Sequence, residues 1–175
     1  IIMIGEIRDL ETAATAVQSS LTGHLVLSTL HTNSALGAIA RLRDMGVEPF
    51  LLATSLKGIM AQRLVRRLCP ECCRWRPLSA GETHWLEGLE SLKQLAEPVG
   101  CERCDGTGYR GRLGLYEFIP IDVTLAGMIH DQAAESALAH YAFTEAGAQS
   151  LAMAALARLT AGETSLDEVL RAIQR

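Results

Sequence analysis

The chain has 175 residues and a formal charge of −4, with 16 Lys and Arg against 20 Asp and Glu. Because 49% of its residues are hydrophobic, it can build an ordinary core, which excludes disorder at a length of about one domain. The acidic balance gives no reason to expect nucleic acid as the main partner, and no apolar run approaches the roughly 20 residues that cross a bilayer.

Residues 1–4 are all apolar and predict a short buried strand. A chain rarely begins inside its own core, and this one has neither an initiator Met nor the layout of a signal peptide. We therefore expect a fragment of a longer protein whose N-terminal part is missing.

A helix and a second strand are predicted next. Asp9 is a good N-cap for a helix that Gly23 would end. The apolar face of this helix contains Leu10, Ala13, Ala14, Val17 and Leu21. Residues 24–30 then predict the second strand, which ends at His31.

Two more helices are predicted before residue 69. The first begins with Ser34 as its cap and closes at Gly46, and the second runs from Pro49, at its tolerated first position, to Cys69. The stripe of the second helix has i,i+4 spacing and contains Leu52, Leu56, Met60, Leu64 and Leu68. Strands that alternate with helices favour an α/β fold, a parallel sheet with helices on its faces.

The composition changes at residue 69. Residues 69–120 contain all five cysteines and four of the five prolines, which indicates a small module, with Trp75 and Trp85 packed inside it. Short strands are predicted over residues 109–119, and an Ala-rich helical region follows Asp122. A capping box, Ser165 with Glu168, starts the last helix, whose apolar face contains Leu166, Val169, Leu170 and Ile173. The predicted divisions are residues 1–68, 69–115 and 116–175.

Polar side chains follow both predicted strands of the first region. Glu6 follows the first strand, and His31 and Asn33 follow the second. Ligands of open α/β sheets bind beyond the carboxyl ends of the strands, so these side chains are expected to converge on one bound molecule. Four apolar residues before Gly5-Glu6 also have the form of a Walker B strand, although that pattern alone predicts only a solvated turn.

Cys69-x-x-Cys72 and Cys101-x-x-Cys104 are two knuckles of the type that together form a tetrahedral zinc site. Four thiolates suit Zn²⁺ and leave no open position, so the metal is expected to be structural. Cys73 is interpreted as a spare cysteine. Disulfides are the competing interpretation, but the odd cysteine count and the paired spacing favour metal.

Other polar residues are given ordinary roles. Arg8 and Asp9 are expected to pair locally or to face a neighbouring subunit, and neither is interpreted as catalytic. Arg63, Arg66 and Arg67 are interpreted as a solvated face of the long helix, with contact to another subunit or to acidic lipid as alternatives. The remaining imidazoles are predicted to lie at the surface: His84, His130 and His140.

Several stretches closely resemble type II/IV secretion ATPases, the RecA-like hexameric motors of type II secretion and type IV pilus assembly. Residues 5–13, Gly-Glu-Ile-Arg-Asp-Leu-Glu-Thr-Ala, resemble the Walker B box, and residues 22–33 resemble the histidine box. The similarity continues through residues 41–50, 61–70 and 108–117. The helical tail resembles the family only over residues 162–169.

The resemblance implies roles for these residues. Glu6 would be the Walker B carboxylate, acting on the Mg²⁺ shell and the hydrolytic water, and Gly5, Glu6 and His31 would contact ATP. His31 would bond the terminal phosphate or orient Glu6. The resemblance also places His24 close to the nucleotide, but its position at the start of its strand favours a structural role at least as much. Many type II secretion ATPases carry the four-cysteine element, which agrees with Zn²⁺ at Cys69, Cys72, Cys101 and Cys104.

The resemblance also implies the setting of the parent protein. It would be a homo-hexamer at the cytoplasmic face of the bacterial inner membrane, bound to cytoplasmic domains of platform proteins and driving pseudopilus assembly. Residues 17–22 and 42–51 look closer to type II secretion than to pilus assembly. No G-x-x-x-x-G-K-[ST] loop occurs in the 175 residues, so this chain alone is expected not to hydrolyse ATP.

A zinc module of a different class is the other alternative. Residues 101–108 match the C-x-x-C-x-G-x-G unit of DnaJ-type zinc domains, which would indicate a chaperone or nucleic-acid module. Such domains carry several copies of the unit, and this sequence has one.

Overall fold

The computed structural model describes residues 1–32, 34–79, 81–82 and 92–173. The strands in this part of the chain are β1 (Ile2–Met3), β2 (Val26–Leu27), β3 (Gly58–Leu68), β4 (Arg74–Pro77), β5 (Gln94–Glu97) and β6 (Tyr109–Pro120). The α-helices are α1 (Leu10–Leu21), α2 (Gly37–Asp44), α3 (Pro49–Ser55), α4 (Val123–His130), α5 (Glu135–His140), α6 (Leu151–Thr160) and α7 (Leu166–Ile173). A 3₁₀ turn covers Glu102–Cys104, and a π-helical turn, Tyr141–Glu145, extends α5.

The chain divides into two compact units. The first contains residues 1–61 and 117–149, and the second contains residues 62–116 and 150–175. The core of the first unit is formed mainly by Ala13, Ala16, Leu36, Ile39, Leu42, Leu52, Leu125, Ile129 and Leu138. The core of the second is formed by Val65, Leu95, Leu115, Ala155, Leu159, Leu166 and Val169.

The first unit begins with the predicted parallel strand pair. Ile2 pairs with Val26 and Met3 with Leu27, so the two strands end at the same edge. Within this chain the first strand is partly uncovered, since Met3 is 80% exposed and Ile1 is 89% exposed. An apolar run predicts a strand, but burial requires elements that cover it.

Helix α1 begins and ends as its sequence predicts. The Asp9 carboxylate accepts a hydrogen bond of 2.8 Å from the Thr12 amide, which satisfies one of the free N–H groups at the helix start. Gly23 follows the helix at a φ of +97°, a conformation that favours glycine. The buried residues of α1 are Ala13 and Ala16, a narrower face than the apolar stripe suggested.

The long helix predicted from Pro49 to Leu68 is wrong. Pro49 does occupy the first turn of α3, but this helix ends at Ser55, and residues 58–68 form strand β3. The i,i+4 spacing is a multiple of two, so it also fits one face of a strand, whose side chains alternate. Alternation decides the burial here, since Val65 is buried while Leu64 is 56% exposed.

Strands β3 and β6 run in opposite directions. The Ile121 amide donates to the Lys57 carbonyl at one end of the pair, and the Cys69 amide donates to the Gly108 carbonyl at the other. Tyr109–Pro120 is one continuous strand of 12 residues rather than several short ones. Its length follows from its partner, which supplies backbone hydrogen bonds over a similar span.

The arginines interpreted as a helix face therefore lie on β3, and Arg66 is an ion-pair residue of the second unit. Its Nε and Nη2 atoms donate to Glu168 Oε1 at 3.0 and 2.8 Å, and its backbone amide donates to Glu168 Oε2 at 2.8 Å. The Arg66 guanidinium also lies 4.0 Å from the centre of the Tyr109 ring. Glu168 thus fastens α7 to β3.

The predicted capping box is only half formed. Ser165 Oγ accepts from the Glu168 amide at 3.4 Å, but the Glu168 carboxylate binds Arg66 instead of returning to the Ser165 amide. Burial raises the pKa of Glu168, and the bonds from the Arg66 side chain and amide outweigh it and lower that pKa overall. The carboxylate is therefore charged in the folded protein at neutral pH.

Replacing Glu168 by Gln is expected to loosen α7. A hydrogen bond to a charged group contributes about 1.5–3 kcal/mol, so amide exchange over residues 166–173 should accelerate about 10-fold or more in the full-length protein. Asp167→Asn is the matched control, because Asp167 is an exposed carboxylate in the same turn. Since the pKa of Glu168 is lowered by folding, its stabilisation is complete above its unfolded pKa of about 4.3 and is lost as pH falls through the folded value. Equal exchange in Glu168→Gln and the unmodified protein at neutral pH would contradict the ion pair.

Candidate functional site

Glu6 is held at the carboxyl end of β1 by its backbone neighbours. The Ile4 amide donates to the Leu27 carbonyl at 2.9 Å, and the Ile7 amide donates to the Thr29 carbonyl at 3.0 Å. Thr29 Oγ1 donates to the Gly5 carbonyl at 2.7 Å. Because Ile7 is buried next to it, the Gly5-Glu6 turn has a fixed position beside the end of β2.

The two carboxylate oxygens of Glu6 each have a basic partner. Oε2 accepts from Arg8 Nε at 2.6 Å, and Oε1 lies 3.0 Å from His31 Nε2. The hydrogen bond from Arg8 is the main cause that lowers the pKa of Glu6. Burial raises this pKa, and the charges of Arg8 and His31 lower it further, so the net direction is down. Glu6 is therefore an ionised carboxylate, whose side chain is 21% exposed, between two exposed nitrogen donors.

The structure brings together the two residues that strand order predicted to converge. Glu6 Oε1 and His31 Nε2 lie 3.0 Å apart, within ion-pair distance, and Gly5 lies in the same turn. Asn33 lies outside the described residues. His24 is placed elsewhere: its Nδ1 lies 3.1 Å from the Ser19 carbonyl, at the C-terminal end of α1.

Arg8 is the third member of this group. Its sequence context predicted a local ion pair or contact with a neighbouring subunit, and the structure shows a local pair in which its guanidinium binds the same carboxylate as His31. The available signal was its spacing, because residues i and i+2 of an extended segment project to the same side.

An ionised carboxylate beside an imidazole can orient and deprotonate a water molecule, and a carboxylate oxygen is also a ligand that Mg²⁺ prefers. The exposed nitrogens of Arg8 and His31 can donate to phosphate oxygens. These side chains are of the types that phosphate-hydrolysing sites use, and the 175 residues contain no G-x-x-x-x-G-K-[ST] loop beside them.

The four predicted metal ligands form one cluster in the second unit. The Sγ atoms of Cys69, Cys72, Cys101 and Cys104 all lie within 4.8 Å of one another. The sulfur–sulfur distances are 3.9 Å for Cys69–Cys101, 3.8 Å for Cys72–Cys104 and 3.7 Å for Cys101–Cys104. A zinc–sulfur distance of about 2.3 Å gives a tetrahedron with edges of about 3.8 Å, so the cluster has the size of a zinc site.

Backbone amides surround the sulfurs. Gly100 donates to Cys72 Sγ at 3.3 Å, and Cys101 and Gly108 each donate to Cys104 Sγ at 3.2 Å. Burial raises the pKa of the Cys104 thiol, but these two amides and the neighbouring cysteines lower it to about 6. Such donors stabilise thiolates, the form that binds metal.

Close backbone packing around the cluster requires glycine. A Cβ on Gly100, which has a φ of +108°, would lie 2.5 Å from the Gly106 carbonyl oxygen. A Cβ on Gly108 would collide with Pro98. Glycine at these two positions lets the second knuckle fold back onto the first.

Cys73 and Trp75 do not join the cluster. All five cysteines are free thiols, and Cys73 is bound through its amide, which donates to the Cys69 carbonyl at 3.0 Å. Trp75 is 51% exposed, and its ring lies against Gly162, where an added Cβ would collide with Trp75 Cζ2. Its predicted packing inside the cysteine module is therefore wrong. Trp85 and His84 lie outside the described residues. The exposed His130 and His140 contact neighbouring carboxylates, in agreement with a surface position.

The parallel strand pair, its flanking helices and the polar group at the strand ends define an α/β protein of the RecA-like secretion ATPase fold. A crystal structure of the pilus retraction motor PilT with bound ADP matches 98% of this chain and 38% of its own, with a TM-score of 0.65 and 23% sequence identity. The chain belongs to the family described as type II/IV secretion system protein, whose sequence profile matches residues 1–171. The predicted fold class and family are confirmed.

Curated relatives are similar over nearly the whole chain. Type II secretion system protein E of Aeromonas hydrophila is 50% identical over 173 residues, which are 98% of this chain and 34% of the relative. Type IV pilus assembly ATPase TfpB of Acinetobacter baylyi is 46% identical over 176 residues, covering 99% of this chain and 30% of the relative. This chain therefore spans about a third of the length of the proteins it matches.

Across the described part of the chain, the helices are too short or too polar to cross a membrane.

Proposed function

We propose that this chain is the C-terminal part of an ATPase that drives protein export by type II secretion. The observation that carries the proposal is the contact between Glu6 and His31, an ionised carboxylate and an imidazole at the ends of two parallel strands. The identity of 50% to a type II secretion system protein E supports the same function.

In the proposed reaction, Glu6 accepts a proton from the attacking water. Glu6 would also help to hold the hydration shell of Mg²⁺, which when bound would supply positive charge to the phosphate oxygens. His31 donates a hydrogen bond to the terminal phosphate or orients Glu6, and Gly5 brings the backbone close to the nucleotide. The phosphate-binding loop comes from the part of the full-length parent that precedes this chain, so the chain alone is inactive.

The four-cysteine cluster is proposed to hold a structural Zn²⁺. Four thiolates complete a tetrahedral shell, so Cys69, Cys72, Cys101 and Cys104 would leave no position for a substrate. The ion would join two chain segments that contribute little apolar core. We propose that the chain has three parts along its sequence: an ATPase portion (residues 1–68), the zinc module (residues 69–115) and a helical region (residues 116–175).

The parent is proposed to act as a homo-hexamer on the cytoplasmic face of the inner membrane. Its partners would be cytoplasmic domains of the secretion platform, and hydrolysis would drive pseudopilus assembly. A type IV pilus assembly ATPase is the second candidate, supported by the identity of 46% to TfpB. A DnaJ-like zinc module would account only for residues 101–108, whereas the family profile matches residues 1–171.

The proposal is tested on the full-length gene and its product. A G-x-x-x-x-G-K-[ST] loop is expected in the coding sequence ahead of Glu6, and the purified full-length protein is expected to release phosphate from ATP in a Mg²⁺-dependent manner. This chain expressed alone should release none. The ATPase function would be rejected if the coding sequence ahead of Glu6 lacked this loop. It would also be rejected if the oligomeric full-length protein did not hydrolyse ATP with Mg²⁺ present.

A further inference from the structure

The segment that follows His31 is joined to a distant helix by a side-chain hydrogen bond. Ser34 Oγ donates to Glu135 Oε1 at 2.8 Å, across 101 residues of sequence. Ser34 lies three residues after His31, and Glu135 lies in the first turn of α5. Both residues belong to the first unit.

The hydroxyl of Ser34 acts both as a donor and as an acceptor in this arrangement. It donates its only proton to Glu135 and accepts from the Gly37 amide at 2.9 Å. Thr32 Oγ1 donates to the Ser34 carbonyl at 2.8 Å, which tightens the turn further. Gly37 is required for this close approach, because a Cβ there would lie 2.8 Å from Ser34 Oγ.

Both ends of the hydrogen bond are attached to the core of the first unit. Ala35 and Leu36, next to Ser34, are 2% and 3% exposed, and Leu138, three residues after Glu135, is 1% exposed. The bond is charge-assisted, since its acceptor is a carboxylate, and a carboxylate is favoured in the first turn of a helix. It therefore joins two anchored backbones rather than two mobile side chains.

His31 depends on its backbone for its position. Its side chain is 87% exposed, so packing contributes little to where the imidazole lies, and its contact with Glu6 is 3.0 Å long. Glu135 itself is exposed and is not needed to fill the core. A shift of about 1 Å in a catalytic group is enough to slow a reaction severely.

We propose that Glu135 is a positioning residue for His31, acting through Ser34. The hydrogen bond holds Ser34 against α5, and since Ser34 lies three residues after His31, it keeps the imidazole near Glu6. This inference rests on the proposed ATPase function, and it adds a residue from the helical region to the machinery of the nucleotide site.

The test measures steady-state ATP hydrolysis by the full-length protein and by its Glu135→Ala and Glu135→Gln variants. Glu135→Ala is expected to lower kcat about 3–10-fold, with KM for ATP within about 2-fold of the unmodified value. Glu135→Gln should recover part of the loss, because its amide oxygen still accepts from Ser34. Glu145→Ala, which removes an exposed carboxylate from the neighbouring π-helical turn, is the matched control and should leave kcat unchanged.

A double-mutant cycle separates positioning from a general loss of structure. In a His31→Ala background, Glu135→Ala is expected to have no further effect, because the side chain it positions is gone. A purely structural role would lower kcat by the same factor in both backgrounds. Ser34→Ala is a poorer probe, because it also removes the hydrogen bond to Gly37.

The outcomes distinguish this inference from the proposed function. The positioning role is rejected, and the ATPase function stands, if Glu6→Gln abolishes hydrolysis while Glu135→Ala leaves kcat unchanged. The same conclusion follows if Glu135→Ala lowers kcat by the same factor in the His31→Ala background as in the unmodified protein. If the unmodified full-length protein shows no Mg²⁺-dependent hydrolysis of ATP, the proposed function itself fails. If Glu135→Ala does not fold, kcat of the Glu135→Gln variant is compared in the unmodified and His31→Ala backgrounds instead.

Discussion

Replacing Glu6 by Gln in the full-length protein is expected to lower kcat for ATP hydrolysis about 100-fold or more, with a small change in KM. Glutamine has nearly the same shape as glutamate, so the turn that Thr29 holds through the Gly5 carbonyl should keep its position. A neutral amide cannot accept a proton from water, so the loss should fall on the chemical step and not on binding.

The control for Glu6→Gln is Glu48→Gln. Glu48 is an exposed carboxylate just before α3, and its side chain makes no capping hydrogen bond to that helix. This variant loses the same charge but should hydrolyse ATP at the unmodified rate. Nucleotide binding, measured separately with a fluorescent ATP analogue, should be retained in both. Unimpaired turnover in Glu6→Gln would remove this residue from the catalytic role.

The Glu6–His31 pair could be predicted because it follows from a rule of topology. Parallel strands end at the same sheet edge, so two polar residues that follow such strands are brought together whatever the intervening helix does. Strand type and order were enough, and the contact of 3.0 Å agrees with them. The four-cysteine cluster was predictable for a similar reason, since each C-x-x-C pair is a local turn.

Contacts between distant residues could not be predicted in this way. The Arg66–Glu168 pair spans 102 residues and the Ser34–Glu135 pair spans 101, and no local pattern links either pair. The capping-box pattern at Ser165 was misleading for this reason, because a better donor, Arg66, takes the Glu168 carboxylate.

The error over residues 56–68 has a different physical cause. Leucines four residues apart satisfy both a helix face and a strand face, so periodicity alone did not distinguish them. The pairing partner β6 decided the outcome, and its contribution appears only in three dimensions. The same error placed three arginines on a helix face. Arg66 was predicted to be solvated, but it forms an ion pair with the buried Glu168.

The purified full-length protein is expected to contain about one Zn²⁺ per chain under reducing conditions, measured by elemental analysis. Structural zinc sites contribute about 10–16 kcal/mol of apparent binding free energy at neutral pH, so removing the ion should unfold the segment it joins. Chelation, or Cys104→Ser, should therefore accelerate amide exchange over residues 69–79 and 92–108 and expose them to protease. Residues 10–21 of the first unit should exchange as before.

Cys73→Ser provides the matched control for the metal site, because Cys73 adjoins Cys72 but its sulfur is not part of the cluster. It should keep the full zinc content, whereas Cys69→Ser, Cys72→Ser, Cys101→Ser and Cys104→Ser should each lose most of it. A soft fourth ligand is needed to close the tetrahedron, and serine oxygen is a poor replacement for thiolate. Zinc near zero in the reduced, unmodified protein would reject the metal assignment. Equal loss of zinc from Cys73→Ser and Cys104→Ser would show that the ligand set is wrong even if metal is bound.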